Sequence, residues 1–332
     1  MSILHFNFYL VLIFSNLFFL YLIKKISYQY SLYDFPNDRK LHQKPTCYLG
    51  GALFFFSNFF YLVFFRTFLF ESHFLIYNLS HIFSLIFVAS LIFFAGLLDD
   101  KVDLDPLKKT IILLTLISSA VLIDDKLLIT KLNFELIENN FNLKNFSIFF
   151  TILCIYIFIN ACNMYDGADL QLGIYFLIII IYLAIKSNYF HIFTPLLIPL
   201  LIFLYANFKK IFFFGNNGSH FLSYVLAIFI IKFYNDEILI SVEEVIIIML
   251  IPVLDLIRLF FMRVLNNKNF FEPDLNHIHH ILIKKHSKYK VQLIVFISSV
   301  GPILVAEIIN SYLLGILFGI FFYFILIFKN KV

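Results

Sequence analysis

Residues 81–105 read HIFSLIFVASLIFFAGLLDDKVDLD. Between His81 and Asp99 there is no charge, and then two carboxylates stand side by side. At about 1.5 Å of rise per residue, residues 81–98 form a helix long enough to cross the hydrocarbon core of a bilayer. Ten more runs of this kind follow the chain at 5–23, 49–65, 110–123, 147–163, 172–185, 189–206, 219–234, 239–261, 291–309 and 312–328. They are continuous and do not alternate as barrel strands would, so they predict helices. Composition agrees. Of 332 residues, 61% are hydrophobic and 14% charged, with mean hydropathy +0.92. A soluble domain is nearer half apolar and a quarter charged. The 10 Gly, 8 Pro and 3 Cys exclude disordered, collagenous and disulfide-scaffold chains. The expected fold is all-α: a polytopic integral membrane helical bundle of about eleven transmembrane helices, forming one membrane-embedded domain over residues 1–332.

Lys and Arg divide unevenly between the two sides of such a bundle. Nineteen fall after odd-numbered helices or in the C-terminal tail, and six on the other side. Positive charge stays in the cytoplasm, so the N-terminus is expected outside. The first run lacks a basic leader and a small-residue cleavage site, and reads as a retained span. A net charge of +4 is too small to point to nucleic acid. Cys154 and Cys162 lie in one apolar run and no Cys-x-x-Cys pair exists, so cysteine indicates neither zinc nor redox chemistry.

The polar clusters fall on the expected cytoplasmic side: 34–51, 99–105, 160–169, 207–220 and 255–286. Five polar segments on one face predict a composite site at the membrane surface. A transporter, the third-ranked reading, would tend to carry its polar groups in broken helices near the midplane. Asp99 and Asp100 end their helix, where an anion is disfavoured, so the pair is expected to hold a divalent cation or divide the roles of base and charge. In NACNMYDGADLQLG, Asn160, Asn163, Asp166 and Asp169 recur every three residues, and Gly167 lets a backbone turn or a ligand approach closely. The stretch FFFGNNGSH, 212–220, opens a helix and reads either as a phosphate cradle or as an ordinary turn. Asp255 lies inside an apolar run, which marks it as functional. Arg263 follows, and His277, His279 and His280 cluster near Asp274. Histidines among cations suit a diphosphate better than a metal.

Taken together and in order, these motifs resemble the polyprenyl-phosphate N-acetylhexosamine-1-phosphate transferase superfamily, glycosyltransferase family 4. DRKLHQKP with Gly50-Gly51, GLLDD, NACNMYDGAD, FFGNNGS and the run from Asp255 to HIHH are each similar to one of its cytoplasmic motifs. The resemblance implies a multi-pass enzyme of the inner (cytoplasmic) membrane, commonly a homodimer. It would move a sugar-1-phosphate from a UDP-sugar to a membrane polyprenyl phosphate, with undecaprenyl phosphate the expected acceptor. It would release UMP, use Mg²⁺ or Mn²⁺, and begin a lipid-linked cell-surface glycan. Asp99, Asp100 and Asp166 would be catalytic, and with Asn216 would serve the metal. Asn163, Asp166, Gly167, Asp169 and Phe213 would bind the nucleotide. Arg263, His277, His279 and His280 would grip the donor phosphates. Asn216 stands where the family carries a metal-binding Asp, Leu170-Gln171 where Gly-Leu is usual, Cys47-Tyr48 where Pro-Arg is usual, and Leu275 where Arg is common. A catalytically silent relative serving as a membrane scaffold is the runner-up.

Overall fold

A computed structural model of the chain describes residues 3–35, 44–64, 79–267 and 276–330. Most of the DRKLHQKP motif, from Asp38 to Gln43, lies outside the described residues, as do Asp274 and Leu275. Every apolar run is a helix, as expected. In chain order the described helices are α1 Ile3–Tyr30, α2 Gly50–Phe64, α3 Leu79–Val102, α4 Pro106–Ile123, α5 Ser147–Tyr165, α6 Gln171–Ser187, α7 Phe190–Phe208, α8 Gly215–Asn235, α9 Val242–Leu265, α10 Ile278–Lys285, α11 Lys288–Ile309 and α12 Tyr312–Asn330. Among the described residues, seven segments are long and apolar enough to cross a membrane by length and composition alone. The protein is an all-α polytopic membrane protein.

Local chemistry sets the helix ends. Pro106 opens α4, and Asp105 caps it by accepting from the N–H groups of Leu107 and Lys108. Ser241 caps α9 through Glu244 N–H, while Glu244 Oε2 accepts from Ile240 N–H, a variant of the reciprocal capping box. Asn310 ends α11 in the left-handed region, φ 56°, which asparagine tolerates.

The chain forms two compact units: residues 1–125 with 180–226, and residues 126–179 with 227–332. In the first unit α1, α2 and α7 pack together, and α2 leads on to α3 and α4. Polar groups inside are passed from hand to hand, as an apolar medium requires. Asn16 Nδ2 donates to Ser57 Oγ at 3.1 Å, and Ser57 donates to the carbonyl of Pro195, also at 3.1 Å. A short strand pair, β1 Tyr33–Asp34 with β2 Thr46–Cys47, is antiparallel. Its end is stitched to the segment before α8: Phe213 N–H donates to the Cys47 carbonyl, and Gly50 N–H to the Phe213 carbonyl.

In the second unit α9 packs on α5, α11 and α12. The contact with α12 depends on Gly315 and Gly319. A Cβ at Gly319 would stand 2.3 Å from Leu250 of α9 and 2.9 Å from Pro302 of α11. This is the small-residue packing by which membrane helices approach without a hydrophobic driving force. The loop from α4 to α5 holds an antiparallel hairpin, β3 Lys131–Phe134 with β4 Ile137–Asn142. Glu243 Oε2 accepts from Glu135 N–H, and Glu135 Oε2 accepts from Leu313 N–H, so the turn is tied to the starts of α9 and α12.

Candidate active site

The candidate residues form two constellations, one in each unit. In the first, Asp99 and Asp100 stand in the last turn of α3, beyond the apolar run, and point to different partners. Asp99 is buried. Its Oδ1 accepts from Leu104 N–H at 3.0 Å, and its Oδ2 pairs with Lys109 Nζ of α4 at 2.7 Å. Asp100 turns to the start of α8. Its Oδ1 accepts from Asn216 N–H at 2.8 Å, and its Oδ2 from Asn217 N–H at 3.0 Å and Asn217 Nδ2 at 2.6 Å. Burial outweighs these donors and holds the Asp100 carboxyl up, at about 6.

This corrects the phosphate-cradle reading of GNNGS. The first N–H groups of α8 are satisfied by a carboxylate of the protein itself. The loop is a backbone clamp on Asp100, completed by Asn217 Nδ2 donating to the Tyr48 carbonyl at 2.7 Å. Gly215 takes φ 66° to make the turn, a conformation open to glycine. Phe213, half-buried, is held by the Cys47 and Gly50 backbone.

In the second unit Asp255 is the hub. It is buried in α9, and both oxygens are used. Oδ1 accepts from Arg258 Nη2 at 2.8 Å and Tyr323 OH at 2.7 Å, and Oδ2 faces His277 Nδ1 at 3.1 Å. Ile278 N–H, the first of α10, lies 3.3 Å from Oδ1, so Asp255 also meets the positive end of that short helix. Arg258 Nη2 donates on to the Asn276 carbonyl at 2.6 Å. The histidine segment is therefore fixed from beneath by an ion pair, a tyrosine and a helix terminus. With Nδ1 of His277 turned to Asp255, Nε2 is the nitrogen left to meet a ligand.

His279 is buried, and its ring stacks on His277 with centroids 5.3 Å apart at 11°. Its ring lies over Gly167: a Cβ there would be 1.9 Å from Nε2. This is the close approach that Gly167 was expected to permit, and its occupant is a histidine of the same unit. Burial, then the cationic forms of His280 and His277, push the His279 pKa well below 6.5. It is neutral at physiological pH, so it offers hydrogen-bonding capacity and no charge. Its Nδ1 is buried with no hydrogen-bond partner. His280 is half-buried, with its ring centroid 4.3 Å from that of His279. Asp166 is the C-cap of α5, and Asp169 pairs with Lys288 Nζ at 2.9 Å. Asn163 lends its carbonyl to Asp166 N–H at 3.3 Å. Arg263 lies two turns beyond Asp255 near the end of α9, half-buried.

Lys109, Asn217, Arg258, Tyr323 and Lys288 were not singled out from sequence. Arg258 had a usable signal, since it stands three residues from Asp255 on one helix face. Tyr323 had none, because one tyrosine among 19 in an aromatic-rich chain carries no local mark.

Carboxylates suit a hard divalent cation, and Asp99 already carries a cationic group, the Lys109 ammonium, on one oxygen. Asp99 thus has the donor type for an ion, but like Asp100 it has both oxygens engaged, by Leu104 N–H and the Lys109 ammonium, so an ion there would compete with Lys109.

Residues 82–234 match the model of glycosyl transferase family 4. The chain is 27% identical over 296 residues to the "Probable undecaprenyl-phosphate N-acetylglucosaminyl 1-phosphate transferase" of Bacillus subtilis (strain 168), covering 85% of this chain and 79% of that protein. It is 22% identical over 286 residues to the "Undecaprenyl-phosphate alpha-N-acetylglucosaminyl 1-phosphate transferase" of Escherichia coli (strain K12), covering 82% and 75%. A Salmonella typhi protein of the same name is 22% identical over 278 residues, covering 80% and 73%. The helical architecture, the paired aspartates of α3 and these matches agree: over residues 82–234 the chain is similar to glycosyl transferase family 4.

Proposed function

We propose that this enzyme transfers N-acetylhexosamine-1-phosphate from a UDP-sugar to undecaprenyl phosphate in the cytoplasmic membrane, releasing UMP and starting a lipid-linked glycan. The observation that carries the reading is the Asp99–Lys109 pair beyond the apolar run of α3. It sets a carboxylate and a cation together where a lipid phosphate meets water. A phosphate oxygen of the acceptor attacks the sugar-bearing phosphorus of the donor, and the bond to the UMP phosphate breaks. Two anions must meet for this, so fixed positive charge and oriented donors carry the catalysis.

Each residue then has a task. Asp99 orients the acceptor phosphate and takes its proton where one is present. Lys109 draws the acceptor anion in and fixes the Asp99 carboxylate by its ion pair. Asp100 keeps the start of α8, and with it Asn216, in place. His277 Nε2, His280 and Arg263 hold the donor diphosphate, and neutral His279 adds a hydrogen bond. Asp166, Asn163, Gly167 and Asp169 bind the nucleotide, with Phe213 against its base. A divalent cation, Mg²⁺ or Mn²⁺, would be held in the first unit by Asp99, in competition with Lys109, with remaining lone pairs of Asp100 and the Asn216 amide oxygen as weaker ligands. Its chemistry is to neutralise charge on the diphosphate.

The test is direct. Purified protein is incubated with undecaprenyl phosphate and a panel of UDP-sugars, and the lipid fraction and released nucleotide are analysed. The expected result is a lipid-linked sugar from an N-acetylhexosamine donor, with UMP in equal amount. UDP as the released nucleotide, or no lipid product from any donor, would reject the assignment.

A further inference from the structure

α3 and α4 form an antiparallel pair with Asp99 and Lys109 at one end. At the other end stand His81, in the first turn of α3, and Asp124 and Asp125, directly after the last turn of α4. His81 is 18 positions before Asp99, which at 1.5 Å per residue puts the two ends about 27 Å apart, a hydrocarbon thickness. The two groups therefore lie on opposite membrane faces, and none of these three residues belongs to the transfer site.

Three features make this end unusual. His81 and Asp124 are buried, at 6% and 1% exposure, whereas the Asp125 side chain is 83% exposed. The local electrostatics run the wrong way: two carboxylates sit at a helix C-terminus, and a cationic imidazole would sit at a helix N-terminus. Finally, His81 Nδ1 is buried with no hydrogen-bond partner, yet it faces Asp124 Oδ1 at 3.5 Å. Its Nε2 faces Asp125 Oδ1 at 3.3 Å. Charge-assisted N–H···O bonds close to about 2.7–2.9 Å, so neither contact has the geometry of a histidinium clamped by carboxylates.

We propose that His81, Asp124 and Asp125 form a binding site for a transition metal ion of the zinc class on the face opposite the transfer site. One ligand atom from each residue lies within 4.8 Å of the others. A divalent ion offsets both carboxylates and the unfavourable helix end together. The imidazole selects a borderline metal such as Zn²⁺ over Mg²⁺ or Ca²⁺, which prefer oxygen alone. His81 and Asp124 form the fixed, buried part. Asp125 is exposed and can swing across, so the ion enters from the water and keeps a coordination position for it. Bound metal ties the start of α3 to the end of α4.

The experiment uses full-length protein in detergent, stripped of metal and titrated with Zn²⁺ against a chromophoric chelator, with thermal unfolding followed in parallel. The native protein should take up one zinc that His81→Gln and Asp125→Asn bind at least tenfold more weakly, and that Asp99→Asn binds unchanged. Zinc should raise the native unfolding temperature by several degrees more than that of Asp125→Asn. That surface variant leaves the buried pair in place and guards against a folding artefact. Equal zinc uptake by the native protein and Asp125→Asn would overturn the site, as would uptake lost in Asp99→Asn.

Discussion

Asp99 and Asp100 are neighbours in sequence with opposite assignments in space. Asp99 meets a lysine, and Asp100 meets the N–H groups that open α8. Removing charge from each should therefore differ in kind. Asp99→Asn should cut turnover by roughly 10²–10⁴ with unfolding temperature little changed, because a base and an orienting charge are lost. Wild-type turnover in that variant would remove Asp99 from the chemistry. Asn216 lies in the first turn of α8, which Asp100 holds. An amide oxygen ligates weakly, so Asn216→Asp should lower the Mg²⁺ or Mn²⁺ concentration needed for half-maximal rate; an unchanged or higher requirement would take position 216 out of the metal shell.

His279 supplies a pH test. Its folded pKa is depressed well below 6.5 by burial. The unfolded chain therefore binds a proton that the folded chain refuses, and stability is lost as pH falls below about 6.5. The stability contributed above that pH is fully present at pH 7.5. Between pH 7.5 and 5.5 the native protein should lose more unfolding temperature than His279→Gln, which cannot take up the proton. Equal losses would mean that His279 is not held neutral.

At the scale of elements, the apolar runs told nearly everything about helices, because a continuous apolar run of about 14 residues or more has few other outcomes in a membrane protein. Two features escaped. α10 is only eight residues long, mixed in polarity, and begins directly after His277. It forms because Asp255 meets its first N–H, a contact across 23 residues that no local pattern shows. The hairpin at 131–142 reads as polar loop because its residues do not alternate cleanly, and its anchors, Glu243 and Leu313, are far along the chain. The site was legible as a set of residue types and motifs. Its wiring was not: GNNGS reads equally as a phosphate cradle or an ordinary turn, and only the fold shows that Asp100 takes its N–H groups. The packing of α12 gives an element-scale test. Gly319→Leu would drive a side chain into Leu250 and Pro302, and overpacking of this kind costs about 1–3 kcal/mol. A variant as stable as the native protein in detergent unfolding would deny the close contact of α12 with α9 and α11.

For the whole molecule, orientation rests on the 19-to-6 division of Lys and Arg. Single cysteines test it in intact cells. One at His286 should be shielded from an impermeant thiol reagent, and one at Leu136, the exposed tip of the hairpin, should react. The reverse pattern would invert the topology.

The central claim is that the group moved is a sugar-1-phosphate and not a bare sugar. Labelling the phosphate next to the sugar in a UDP-N-acetylhexosamine separates the two. If Asp99 and its partners bring an acceptor phosphate to that phosphorus, the label passes to the lipid, unlabelled UMP is released, and Asp99→Asn abolishes both. Label retained in soluble UDP while the sugar alone reaches the lipid would contradict the account.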